Sequence, residues 1–246
     1  ISGGDAANYT LAAYTTTANI TAKQLTATNI TAVNKEYDRG LTATLVLGSA
    51  GLSGVIAGDA VEIETGAATG SFITRTVANN KIVTISGLTI SGVDAVNYTL
   101  APYSTTANIT VKPLSVVGIT AANKEYDQGL TVTLSIGSAA LSGVVAGDVV
   151  TLDTSAVTGA FATKTAANGK PVTVSGLSIS GTDVANYVLN PLTVTASITP
   201  RSLTVSGITA ADKIFDGTTS ATISVASASI NGVLNNDVVV IDTTNA

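Results

Sequence analysis

Three observations predict an all-β chain made of tandem small β-sandwiches. Apolar and polar residues alternate with period two over short runs, these runs are rich in β-branched residues, and the whole pattern returns every 89 residues. Ile30, Ile119 and Ile208 mark the period. So do "SGGDAANYTL" from Ser2, "SGVDAVNYTL" from Ser91 and "SGTDVANYVL" from Ser180. A period of 89 residues is too long for solenoid units of about 20 to 50 residues and suits a small independent domain.

The repeat sets the domain organisation. Residues 1–21 form the C-terminal part of a preceding repeat, 22–110 and 111–199 are complete repeats, and 200–246 form the N-terminal part of a following one. The junctions "TAKQ" (21–24), "TVKP" (110–113) and "TPRS" (199–202) contain no Gly/Ser-rich spacer. Stiff coupling between units is therefore expected, with the chain a window on a longer array.

Within a unit the elements follow from the pattern. In "TVTLSIG", Val132, Leu134 and Ile136 point one way and Thr131, Thr133 and Ser135 the other, as expected of a half-buried strand. Leu114 and Val116 share a face, but the next apolar anchor is Ile119, so parity slips by one. Asn29, Gly118 and Gly207 occupy the slip, and all three tolerate positive φ, which predicts a bulge or bend there. Asn168-Gly169, matched by Asn79-Asn80, predicts a tight hairpin. "YDRG", "YDQG" and "FDGT" predict turns in which Asp accepts from following backbone amides. "LSGVVAGD" predicts one helical turn. Each unit should be an Ig-like sandwich of six or seven strands; a β-grasp-like module with one short helix is the alternative.

Composition narrows the function classes. The chain has 246 residues with no Cys, His, Met or Trp, so disulfides and His or Cys metal sites are excluded. A net charge of −5 argues against a nucleic-acid partner. No apolar run is long enough to span a bilayer. No nucleophile elbow is present, no histidine stands ready as a base, and the carboxylates recur unit after unit, so an enzyme is not expected. No cofactor is called for.

Three sets of site residues remain. Asp38, Asp59 and Asp94 are calcium candidates, although no DxDxDG loop accompanies them. An intramolecular isopeptide bond would need a lysine, an Asn or Asp, and a carboxylic acid together in an apolar setting; Lys35, Lys81, Asn97 and Asp59 are the repeated candidates, with Lys124, Lys170, Asn186 and Asp148 as their counterparts. Tyr9, Tyr98 and Tyr187 follow an Asn at the head of a strand and are expected to be packing anchors with a bonded hydroxyl.

The motifs in order are Lys-x-Tyr/Phe-Asp (Tyr37-Asp38, Tyr126-Asp127, Phe215-Asp216), GVxxGDxV, a Phe, Lys-x-Val-Thr, SGxDxxNYxL and A-x-Ile-Thr. This series resembles the YDG-type repeat, related to the MBG-type repeats that occur in tandem in large bacterial surface proteins such as filamentous-haemagglutinin-like adhesins. In the first two copies Arg39 and Gln128 stand where that pattern has Gly, with Gly40 and Gly129 one step later, which leaves open whether the turns share one type. The resemblance implies an extracellular, cell-attached stalk or fibre, with neighbouring repeats, and other copies within a fibre, as partners. A self-associating filament or biofilm-matrix module is the alternative, and a carbohydrate-binding or hydrolytic domain the least favoured one.

Overall fold

The computed structural model describes residues 1–242. By contacts the chain divides into two units, Ile1–Thr110 and Val111–Ala246, and each contains one complete repeat.

In the first unit, twelve short strands run from Lys23 to Thr110. They are β1 (Lys23–Thr28), β2 (Thr31–Ala32), β3 (Lys35–Glu36), β4 (Thr42–Ala43), β5 (Leu45–Val46) and β6 (Gly51–Ser53). Then follow β7 (Glu62–Glu64), β8 (Thr69–Phe72), β9 (Ala78–Ser86), β10 (Thr89–Ser91), β11 (Tyr98–Leu100) and β12 (Tyr103–Thr110). One layer is a five-stranded sheet in the order β3-β12-β9-β8-β4. The other combines β11-β1-β6 with the pairs β2-β5 and β10-β7. The strands are shorter and more numerous than the six or seven expected because the chain changes sheet within a run: Thr42–Ala43 pairs with β8, and Leu45–Val46, one residue on, pairs with β2.

The core lies between the layers. Ala27 of β1 and Ile30 pack with Ile85 of the five-stranded sheet, and Leu25, Phe72, Val83, Ala107 and Ile109 are buried as well. Strand β9 shows why: from Lys81 to Ser86 its burial alternates residue by residue, as a period-two strand with one wet face must. The parity slip takes the form expected. Asn29 adopts φ 58°, Gly118 φ 79° and Gly207 φ 79°, so Ile30 and Ile119 return to the apolar side and are buried.

The second unit repeats this plan over β13 (Lys112–Val117), β14 (Thr120–Ala121), β15 (Lys124–Glu125), β16 (Thr131–Val132), β17 (Leu134–Ser135) and β18 (Ala140–Ser142). It continues through β19 (Thr151–Asp153), β20 (Thr158–Phe161), β21 (Ala167–Ser175), β22 (Ser178–Ser180), β23 (Tyr187–Leu189) and β24 (Leu192–Thr199). Its sheet β15-β24-β21-β20-β16 again holds a Phe-Val-Ala-Ile cluster: Phe161, Val172, Ala196 and Ile198. The shorter third copy contributes β25 (Thr204–Ser206), β26 (Thr209–Ala210), β27 (Ile223–Ser224) and β28 (Ser229–Asn231).

Several expectations are corrected. Asn79-Asn80 and Asn168-Gly169 do not close a hairpin. They lie inside the long strands β9 and β21 as a bulge: Ala107 pairs with Lys81 but Ile109 pairs with Ala78, so β9 carries one extra residue. Asn80 and Gly169 take positive φ, and a side chain from β12 or β24 serves each freed amide: Asn108 Oδ1 accepts from Asn80 N at 2.8 Å and Ser197 Oγ from Gly169 N at 3.2 Å. The "LSGVVAGD" segment is the strand β18 followed by a turn closed from Asp148 N to Val145 O, not a helical turn. The helical turn falls instead at Ala95–Asn97 and Val184–Asn186, three residues each. With nothing longer among the described residues, the β-grasp alternative lacks its helix. Among the described residues no helix is long and apolar enough to cross a membrane.

Candidate functional site

One polar construction occurs three times along the chain, a second once in each complete repeat, and a third joins the second repeat to the third. Each can be built from its residues.

The first is the aspartate turn. Asp38 Oδ1 accepts from Gly40 N at 2.8 Å and from the Lys35 ammonium at 2.6 Å. Asp127 does the same with Gly129 N and Lys124, at 2.8 and 2.6 Å. Asp216 does so with Thr218 N and Lys213, both at 2.9 Å. The residue after the aspartate is left-handed each time: φ 66° at Arg39, 67° at Gln128, 77° at Gly217. The turns therefore share one type, whether or not that residue is glycine. The step after it is crowded, since a Cβ on Gly129 would lie 3.2 Å from Asp127 Oδ1; Thr218 accepts the crowding and adds a hydroxyl bond to Asp216. The Lys35 ammonium also lies 5.6 Å from the Phe72 ring centroid, over the core edge. At Asp127 and Asp216 the lysine bond, then the backbone amide, holds the carboxyl below its usual range. At Asp38 burial pushes upward, and Lys35 and the Gly40 amide together outweigh it, so the net direction is also down.

The second is the tyrosine corner. Tyr98 and Tyr187 are buried at the start of β11 and β23. The Tyr187 hydroxyl donates to Asp148 Oδ2 at 2.6 Å and accepts from Val145 N at 3.0 Å, bridging both ends of the Val145–Asp148 turn. Tyr98 makes the same pair with Asp59 at 2.5 Å and Ile56 N at 3.1 Å. Two other residues of the SGxDxxNY motif place the tyrosine. Gly181 adopts φ 126° under the chain at Val149, where a Cβ would fall 2.2 Å from the Val149 carbonyl oxygen, so only glycine fits. Asp183 then reaches across and accepts from Val149 N at 2.9 Å, as Asp94 does from Ala60 N at 2.8 Å. Burial and the Asp148 bond push the Tyr187 hydroxyl up to about 12; the Asp59 bond, then burial, raises Tyr98.

The third construction lies inside the second unit, where the third copy meets the second. The Tyr126 hydroxyl donates to Asp237 Oδ1 at 3.1 Å, and Gln128 Nε2 donates to Asn235 O at 2.6 Å. Arg201 donates from Nε to Gly232 O at 2.9 Å and pairs with Glu125 at 3.2 Å. Tyr126, Arg201, Leu203, Leu234, Asp237 and Val239 contribute to the walls of a cavity of about 340 Å³.

The candidate residues distribute as follows. Among the calcium candidates, Asp38 belongs to the aspartate turn while Asp59 and Asp94 belong to the tyrosine corner, and among the described residues no three acidic side chains converge. The isopeptide set is not assembled. Lys35 bonds Asp38 and Gly40 O; Lys81 bonds Thr74; neither turns to Asn97, which closes the helical turn, or to Asp59, which Tyr98 holds. Lys170 is likewise buried among Thr163 Oγ1 and Thr165 O. Tyr9 departs from the packing-anchor expectation at 71% exposed, whereas its counterparts Tyr98 and Tyr187 are each received by a turn 39 to 42 residues earlier in the chain.

Sequence reasoning missed Gln128, Arg201 and Asn235 at the junction. It also missed Asn34 and Asn123, whose Oδ1 atoms accept from Asn108 N and Ser197 N at 2.7 Å and fasten β12 and β24. The signal available for Asn34 and Asn123 was recurrence in "NKEYD". Among the described residues no buried side-chain nitrogen or oxygen lacks a hydrogen bond. Chemically, the arrangement fixes backbone corners and couples one module to the next.

The family model described as the YDG domain matches residues 21–107, 110–196 and 199–246. No curated protein matches the chain.

Proposed function

Because the chain belongs to the YDG domain family, with the unit present three times along it, we propose that it is a stiff spacer segment of a large bacterial cell-surface adhesin or extracellular fibre. On this reading its task is mechanical: it carries no cofactor and no reaction, its partners are the neighbouring repeats, and it works outside the cell. A module whose strands approach ten residues spans about 35 Å, so a run of modules sets a tip domain well clear of a surface.

The observation that carries the reading is the junction of the second and third copies. Strand β24 ends at Thr199 and Arg201 already bonds the next module's Gly232, with Pro200 alone between. A flexible Gly/Ser linker would make such a joint a free hinge. Here the Tyr126–Asp237 and Gln128–Asn235 bonds fasten the two modules on another side.

Paired spin labels test it. Ser135 and Ser224 are exposed, equivalent positions one period apart, and the chain has no native cysteine to interfere. In Ser135→Cys/Ser224→Cys, a stiff spacer gives one distance population a few ångströms wide. A broad distribution like that of a linker would refute the reading.

A further inference from the structure

We infer that Asn168-Gly169 is a self-modifying site, where the asparagine side chain closes on the next backbone nitrogen and ends as aspartate or β-aspartate. The inference stands apart from the spacer role. It needs no enzyme, and its co-reactant is water.

The chemistry sets the requirements. The asparagine side chain must be free to turn towards the next residue's nitrogen, that nitrogen must be uncrowded, and water must reach its proton. Hydroxide then takes the Gly169 N–H proton, and the nitrogen attacks Asn168 Cγ. The new C–N bond closes a five-membered succinimide, the Cγ–Nδ2 bond breaks, and ammonia leaves. Water opens the ring at either carbonyl, giving aspartate or a β-aspartyl link. The balance is one water in and one ammonia out, with no oxidation or reduction. Asparagine is a thermolabile residue, and a following glycine, lacking a Cβ, gives the attack the freest backbone.

The chain writes Asn-Gly twice, at 168–169 and at 231–232, and the fold treats the two differently. Asn168 and Gly169 form the bulge of β21, between the pairs Ala167–Ile198 and Lys170–Ala196. Both are exposed, and among the described residues the Asn168 side chain makes no hydrogen bond. Gly169 has φ 60°, and a Cβ there would meet nothing within 4 Å. Its amide donates to a side chain, Ser197 Oγ, at 3.2 Å, the long end of a hydrogen bond. Asn231, by contrast, pairs with Thr204 in the β25–β28 ladder, and its Nδ2 donates to Ser206 Oγ at 2.9 Å. A Cβ on Gly232 would lie 3.4 Å from both Leu203 Cδ2 and Ser202 O. That asparagine is anchored and its neighbour enclosed. The bulge of the first repeat has Asn79-Asn80, so the attacking residue carries a side chain, and Asn108 Oδ1 holds its amide at 2.8 Å. Asn168 alone of the three combines a free side chain with an open glycine. The bulge also accommodates the product: a β-aspartyl link adds one methylene to the backbone where β21 already carries a surplus residue, and the pairs Lys170–Ala196 and Val172–Val194 lie beyond it.

Ageing the intact chain in mildly alkaline buffer tests this, read by peptide mapping in a mass spectrometer and by a methyltransferase specific for β-aspartyl links. Asn168 should convert at least roughly tenfold faster than Asn231 or Asn79, and the methyl label should fall at position 168. Asn168→Gln should abolish the early label. In denaturant the anchoring of Asn231 is gone, so Asn231 should convert as fast as Asn168. Equal rates at Asn168 and Asn231 in the folded chain, or a folded chain in which Asn168 outlasts either of the others, would overturn the inference.

Discussion

The hydroxyl of Tyr187 donates to Asp148 Oδ2 at 2.6 Å across 39 residues of chain, and accepts from Val145 N at 3.0 Å. One phenol thus holds both ends of a turn that begins where β18 has ended and stands before β19. Tyr98 and Asp59 repeat the relationship in the first unit. Removing the oxygen alone tests its weight. Tyr187→Phe keeps the ring in the core and loses both bonds, so the second repeat should lose about 1–3 kcal/mol in a denaturant titration, while Tyr9→Phe should change nothing.

The same bond makes an alkaline signature. The Tyr187 hydroxyl titrates at about 12 in the folded protein, against about 10 in an unfolded chain. Between these values the unfolded chain has lost the proton and the folded one retains it, so stability falls as pH rises. Thermal melts should show full stability from this group below about pH 10 and a progressive loss toward pH 12. Tyr187→Phe should flatten that part of the profile.

At the acid end the sign reverses. Asp127 and Asp216 are held low by their lysines, and Asp38 is low on balance. Their contribution is present above the unfolded carboxylate value of about 3.9 and is lost as pH falls through the lower folded values. Because these carboxylates are exposed, the effect per turn is small. Melting temperature should fall below about pH 4, and Asp127→Asn should blunt the fall.

Gly181 makes the steric prediction. Its φ of 126° and the Val149 carbonyl 2.2 Å from an added Cβ leave no room for a side chain. Gly181→Ala should destabilise the second repeat by at least about 2 kcal/mol. Gly137→Ala, where a Cβ meets nothing within 4 Å, is the control and should be close to neutral.

Much of the fold was legible because its causes are local. Val132, Leu134 and Ile136 alternate because a half-wet strand must, and the slip at Gly118 shows in the spacing of Val116 and Ile119. The aspartate turn was equally plain, since Asp127 bonds an amide two residues away. What escaped was non-local or degenerate. Asn168-Gly169 announces a positive φ, which serves a bulge as well as a hairpin; pairing with β24 decides between them. Tyr126 and Asp237 lie 111 residues apart, and nothing in either motif says that one repeat's turn bonds the next repeat's corner. Lys81 and Asn97 looked like partners because both recur, but recurrence gives no distance.

The most direct test is to pull the chain from its two ends in a single-molecule force experiment. If each complete repeat closes its own core, two discrete unfolding events appear, each releasing about 300 Å of contour for 89 residues at roughly 3.3–3.6 Å per residue. A single event releasing the whole chain, or a smooth extension without steps, would contradict the account.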